Sequence, residues 1–72
     1  MNDSKNIVDI TPRESEVLRL IANEFTIQEM ASALFISPHT AISHRKNLME
    51  KWAVKNMAGL VRVGFEKGLL KI

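Results

Sequence analysis

The sequence predicts an all-α domain whose helices are short, amphipathic and separated by tight turns. Capping residues mark the helix starts, and the apolar residues that follow each start recur every three or four positions. The alternation of apolar and polar residues that builds a sheet is never sustained. We therefore expect four helices, at about residues 11–23, 26–34, 37–52 and 56–67.

The first predicted helix begins with a capping box. Thr11 stands at the cap, Pro12 at the first helical position and Glu14 at the third, where its carboxylate can accept a hydrogen bond from the Thr11 N–H. The apolar stripe behind this start contains Val17, Leu18, Ile21 and Ala22. The pattern predicts a helix that ends near Asn23.

A second capping box, between Thr26 and Glu29, starts the second predicted helix. The third helix begins at Ser37, so only a tight turn separates the two. Two short amphipathic helices joined in this way form a helix-turn-helix. Phe35 and Ile36 lie in the turn, and we expect both to fill the core, because a short apolar run between helices is usually buried.

The third predicted helix has two different faces. Ser37 caps it and Pro38 suits its first position. Its core-facing stripe contains Ala41, His44, Leu48 and Trp52. We interpret His44 as a packed, hydrogen-bonded histidine and Trp52 as a core residue. Ile42 projects from the other, polar and basic face, although a rotated helix would bury it instead.

The fourth predicted helix runs from a cap at Asn56 to a stop at Gly68, after which residues 69–70 can fold back as an apolar contact. Gly59 and Gly64 lie inside it, and each costs roughly 1 kcal/mol relative to alanine. We expect close approach of another helix, within the chain or across a dimer, to offset that cost.

Composition and charge indicate one small globular domain with a polyanionic partner. The 72 residues contain no cysteine, which excludes disulfides, and no apolar run reaches the ~18–20 residues of a membrane span. Residues 1–36 carry a net charge of −3 and residues 37–72 a net charge of +5. That asymmetry favours a partner such as nucleic acid, with an ordinary solvated surface as the alternative. We expect residues 1–9 to be a flexible leader and residues 10–72 to be the domain.

Enzyme chemistry finds little support in the sequence. His39 and His44 are five residues apart, so they would point roughly 140° away from each other on a helix, and no third metal ligand is near. Ser43 and His44 are adjacent and do not face each other. We expect no catalytic residue, no metal and no cofactor.

Six segments match a known pattern without a gap. They are Thr11-Pro12-Arg13-Glu14, Glu16-Val17-Leu18, Glu29-Met30-Ala31, Leu34-Phe35-Ile36-Ser37-Pro38-His39-Thr40, His44-Arg45-Lys46-Asn47 and Val54-Lys55-Asn56. Through them the chain resembles the LuxR-type (GerE/FixJ-like) helix-turn-helix domain from about residue 10 to residue 70.

The resemblance implies a four-helix DNA-binding domain of a bacterial transcription regulator, cytoplasmic and associated with the nucleoid. It implies double-stranded DNA as partner and a homodimer formed through the last helix. The residues expected in that dimer contact are Leu60, Val61, Gly64 and Phe65. It implies neither a membrane nor a small-molecule ligand for this segment.

The third predicted helix would then be the recognition helix. Its expected base-reading residues are Ile42, which can touch a thymine methyl, Ser43, and Lys46, which can reach guanine. The residues expected to contact phosphates are Gln28, His39, Thr40, Arg45 and Lys55.

The chain departs from the family pattern at Glu24, Gln28, Ile42, Ala53 and Gly59. Glycine is usual at position 24, so we expect either that Asn23 takes the left-handed conformation or that the turn differs. Lysine is frequent at position 28, so that phosphate contact would be a neutral hydrogen bond here. Glycine is also common at position 53, and glutamate at position 59. Lysine or arginine is usual where Ile42 stands, so a base-reading cation is replaced by an apolar side chain.

Two other functions use the same fold. A protein-interaction module could recruit RNA polymerase or another regulator, with Ile42 as a sign that the face has drifted from bases to a protein groove. The chain also resembles the promoter-binding tail domain of sigma factors, which would require assembly on polymerase.

Overall fold

The computed structural model describes residues 10–71, which form four helices and no strand. These are α1 (Pro12–Ala22), α2 (Ile27–Leu34), α3 (Pro38–Lys51) and α4 (Met57–Glu66). The all-α prediction is confirmed, and each predicted boundary lies within one residue of the observed one. The leader predicted at residues 1–9 lies outside the described residues. None of the four helices is long and apolar enough to cross a membrane.

Local capping explains why the helices begin where they do. The Glu14 N–H donates to Thr11 Oγ1 at 3.1 Å, and the Thr11 N–H donates to Glu14 Oε1 at 3.0 Å. Thr26 and Glu29 make the same reciprocal pair at 3.1 and 2.8 Å. The remaining two helices are capped by single side chains, those of Ser37 and Asn56. Each cap stabilises its helix by about 1 kcal/mol.

The core lies where the apolar stripes of all four helices meet. Its largest fully buried side chains are Val17, Leu18, Met30, Leu48 and Leu60. α3 packs against both α1 and α2, while α4 packs against α1. Trp52, at the C-terminal end of α3, is buried, as the sequence predicts. One face of α3 is thereby fixed to the rest of the domain.

Gly64 allows α4 to pack closely against its neighbours. A Cβ on this residue would lie 2.7 Å from Leu70 Cδ1 and 3.2 Å from Leu18 Cδ2. The backbone N–H groups of Leu69 and Leu70 both donate to the Gly64 carbonyl, after a turn in which Gly68 has φ +77°. The predicted stop, the apolar fold-back and, at Gly64, the close approach of another helix within the chain are confirmed. At Gly59 the approach of another helix is not found, because the atoms nearest to an added Cβ belong to Val54 and Asn56, which precede α4.

Phe35 corrects the expectation that the turn residues fill the core. Its side chain is 95% exposed, whereas Ile36 is half-buried. Phe35 is the C-cap of α2 with φ +57°, and the Ile36 N–H donates back to the Ala31 carbonyl at 3.0 Å. A turn this short requires one residue in the left-handed conformation. Phe35 is that residue, and its side chain therefore points away from the core.

The turn after α1 also differs from the expectation. Glu24 itself adopts the left-handed conformation, at φ +65°, while Asn23 keeps φ −96°. Ala53 does the same after α3, at φ +53°. A residue with a Cβ pays roughly 1–2 kcal/mol for this conformation. The chain therefore keeps the glycine-type turns of the family pattern without the glycines.

Candidate nucleic-acid interface

α3 presents a polar and basic face outward because its opposite face is fixed in the core. Ala41 and Leu48 are fully buried, whereas Ile42 is 40% exposed and both Ser43 and Lys46 are exposed. The alternative with a rotated helix and a buried Ile42 is therefore wrong. Contact of these three side chains with DNA stays a prediction.

A groove of about 420 Å³ runs along this outward face, and we call it the α3 groove. Its lining residues are Ile42, Arg45, Lys46, Met49, Glu50, Ala53 and Val54. Residues three, four and seven positions apart share one side of a helix, which brings Ile42, Lys46 and Met49 into one row. The α3 groove thus combines an apolar floor with charged side chains around it.

The residues predicted to contact phosphates lie on α3, on the preceding helix α2 and on the link that follows α3. His39 lies exposed in its first turn, Gln28 is exposed in the first turn of α2, and Lys55 is exposed in the link between α3 and α4. Arg45 is half-buried beside the α3 groove. These cationic and polar groups lie on three segments, and their contact with phosphates stays a prediction.

Thr40, another residue predicted to contact a phosphate, is hydrogen-bonded to the cap of α3. Ser37 Oγ accepts from the Thr40 N–H at 3.1 Å and donates to Thr40 Oγ1 at 3.0 Å. The two hydrogen bonds hold Thr40 in the first turn of α3, and its contact with a phosphate stays a prediction.

An ion pair that the sequence did not indicate connects α1 to the end of α3. Lys51 Nζ lies 2.8 Å from Glu14 Oε1, the same oxygen that accepts from the Thr11 N–H. Glu14 is 4% exposed. The two partners are separated by 37 positions, so no local pattern could have revealed the contact. The ion pair thus connects the capped start of α1 to the C-terminal end of α3.

The carboxylate of Glu14 remains charged in this environment. Burial alone would raise its pKa, but the hydrogen bonds from Lys51 and from the Thr11 backbone, with the charges of Lys51 and His44, hold the pKa below its ordinary value. His44 is only half-buried, so its predicted place in the core stripe is at the edge of the core. Within residues 10–71, no cluster of potential ligands could hold a metal ion.

The residues predicted for dimerisation divide between the core and the surface. Leu60 and Gly64 are buried inside the chain, where they already have apolar neighbours. Val61 is half-buried and Phe65 is 41% exposed. Only the latter two could contribute appreciable area to a second copy, and dimerisation itself stays a prediction.

A family model and several known proteins match this chain, and all of them are described as regulatory proteins. The family model described as bacterial regulatory proteins, luxR family, matches residues 8–63. The transcriptional regulatory protein MctR of Rhizobium johnstonii is 39% identical over 61 residues, which are 85% of this chain and 28% of that protein. UhpA, a transcriptional regulatory protein of Escherichia coli K12, is 40% identical over 57 residues, 79% of this chain and 29% of that protein.

A third relative covers nearly the whole chain. The oxygen regulatory protein NreC of Staphylococcus aureus JH9 is 34% identical over 73 aligned positions, which cover 96% of this chain and 34% of that protein. The chain thus spans about a third of the length of these curated relatives. The resemblance drawn from the six sequence segments is confirmed. The chain belongs to the luxR family of bacterial regulatory proteins.

Proposed function

We propose that the chain binds a specific sequence in double-stranded DNA by placing the N-terminal half of α3 in the major groove. The observation that carries this proposal is the outward face of α3, which is basic and uncovered while the opposite face is locked in the core. With 14 residues, α3 is roughly 21 Å long, so about half of it fits across the base edges.

Three side chains on that face take the base-reading roles. Lys46 donates to O6 and N7 of a guanine, the commonest type of specific contact in the major groove. Ser43 donates to or accepts from a base edge. Ile42, which has no polar atom, contacts a thymine methyl.

The phosphate contacts supply most of the affinity and fix the register of α3. They are made by Gln28, His39, Thr40, Arg45 and Lys55. Binding should therefore weaken steeply with salt, because each neutralised phosphate releases condensed counterions.

The domain acts on DNA as a homodimer in this proposal. Phe65 and Val61 on α4 provide the apolar part of the contact between copies, and Leu60 and Gly64 support them from inside the chain. Because the partner is bacterial DNA, the protein works in the cytoplasm at the nucleoid.

A mobility-shift titration with a site selected from random duplexes tests the proposal. Lys46→Ala should weaken that site by about 1–3 kcal/mol and relax one base preference, while Arg45→Ala should weaken all duplexes alike and reduce the salt slope by about one. Lys71→Ala is the matched control, since it removes an exposed charge outside α3.

The outcomes separate the roles clearly. If Lys46→Ala weakens random DNA as much as the selected site, Lys46 contacts a phosphate and not a base. If the unaltered chain retards no duplex at low salt, even at tens of micromolar protein, the DNA-binding proposal is wrong.

One observation favours a second candidate function, a protein-interaction module that recruits RNA polymerase or another regulator. Phe35 holds a large apolar side chain in solvent at the tip of the helix-turn-helix. A protein surface would cover it at a gain of about 1.5–3 kcal/mol. Binding of polymerase without retardation of DNA would support this candidate over the first.

A further inference from the structure

We propose that the α3 groove reads the C5-methyl group of a pyrimidine, so that 5-methylcytosine can replace thymine at one position of the bound DNA. The inference rests on the proposed function and makes it more specific. It turns a base preference into a dependence on cytosine methylation.

Ile42 gives the outward face of α3 an apolar contact point. It is the only large aliphatic side chain among the exposed residues of α3, at 40% exposure, and it lies beside Ser43 and one turn before Lys46. An aliphatic side chain donates and accepts no hydrogen bond. In the major groove, the only feature of a base pair that such a side chain can recognise is the methyl group on C5.

The α3 groove places long side chains beside Ile42. Arg45, Lys46 and Met49 line the same groove as Ile42. Long cationic side chains can present their methylene stems to apolar groups while their charged ends stay with water or phosphate. The C5-methyl group of a base in contact with Ile42 would therefore lie against apolar atoms. The charged ends of Arg45 and Lys46 would point to the phosphates and to guanine.

Thymine and 5-methylcytosine carry the same methyl group on C5. Thymine and cytosine differ at C4, where one has an acceptor oxygen and the other a donor amine, and at C5, where thymine has the methyl. Ile42 cannot sense the difference at C4. At the position it contacts, thymine and 5-methylcytosine should be equivalent for this side chain, and uracil and cytosine should be equally poor.

The test uses the full chain and the duplex site obtained by random-site selection. Each thymine is replaced in turn by uracil, which removes only the methyl group. At one thymine position in each half-site, the replacement by uracil should lower the affinity for the duplex roughly three- to fivefold. At that same position, 5-methylcytosine should bind three- to fivefold more tightly than cytosine.

An Ile42→Ala variant assigns the effect to this side chain. In that variant the uracil and 5-methylcytosine effects should fall to less than twofold, while Phe35→Ala, which removes another exposed apolar side chain outside the α3 groove, should keep them in full. Circular dichroism checks that both variants remain helical.

Two results would overturn the inference while the proposed function survives. One is a specific site in which no thymine responds to uracil, and the other is a methyl effect that persists undiminished in Ile42→Ala. Failure to select any site would instead overturn the proposed function, and the methyl contact with it.

Discussion

Lys51→Met offers a direct measure of how firmly α3 is held to α1. The substitution keeps most of the aliphatic stem and removes the ammonium that lies 2.8 Å from the buried Glu14 carboxylate. A hydrogen bond to a charged group contributes roughly 1.5–3 kcal/mol, but Lys51 is 38% exposed and partly screened. We expect a loss of about 1–2 kcal/mol in the free energy of unfolding at pH 7.

The contribution of the ion pair between Glu14 and Lys51 depends on pH. The pKa of Glu14 is lowered in the folded state, so its contribution is present above its ordinary value of 4.5 and is lost as the pH falls through the lower folded-state value. The difference between the unaltered chain and Lys51→Met should therefore be full at pH 7 and shrink below pH 4.5. A different pH profile would mean that Lys51 acts through something other than this carboxylate.

Thermal unfolding followed by circular dichroism is the assay, and Tm should fall by roughly 4–8 °C per kcal/mol for a domain of this size. Arg62→Met is the matched control, because it breaks the ion pair with Glu66, whose two side chains are 65% and 60% exposed. That control should change stability by about 0.5 kcal/mol at most.

A double-mutant cycle with Glu14→Gln separates the ion pair from the favourable position of a lysine at a helix C-terminus. The reasoning is refuted if Lys51→Met costs no more than Arg62→Met, or if the coupling energy with Glu14→Gln is zero.

Three further predictions concern backbone and packing, and chemical denaturation measures each. Phe35→Gly should stabilise the chain by about 0.5–1 kcal/mol, because glycine adopts the left-handed backbone conformation without strain and no core contact is lost. A loss of 3 kcal/mol or more in the free energy of unfolding would mean that Phe35 packs in the core. Ala53→Gly should stabilise by a similar amount, and no gain would show that φ +53° carries no strain. Gly64→Ala should destabilise by about 1 kcal/mol through collision with Leu70, whereas Gly59→Ala, with a single contact near 3.2 Å, should be close to neutral.

The helix starts could be predicted from the sequence because their causes are local. A threonine and a glutamate three positions later satisfy each other's backbone N–H groups wherever the chain goes next, as Thr11 with Glu14 and Thr26 with Glu29 do. The outward orientation of Ile42 could also be predicted from the sequence, because the buried stripe through Leu48 fixes the rotation of α3.

The conformation of the turns and the ion pair between Glu14 and Lys51 could not be predicted from the sequence. An apolar run such as residues 34–36 is typical of a core segment, and only the geometry of the turn decides that Phe35 is the residue turned outward. Glu14 and Lys51 meet because α3 packs against α1, which is a tertiary arrangement without a signal at either residue.

The outward face of α3 is separate from the face that packs into the core. Ile42 and Lys46 are exposed and contribute little to the core, whereas Ala41 and Leu48 on the opposite side are fully buried. Substitutions on the outer face should therefore change DNA affinity with a stability change within about 0.5 kcal/mol. A loss of binding by Lys46→Ala in a chain that unfolds at an unchanged temperature can then be assigned to the contact itself, not to a displaced helix.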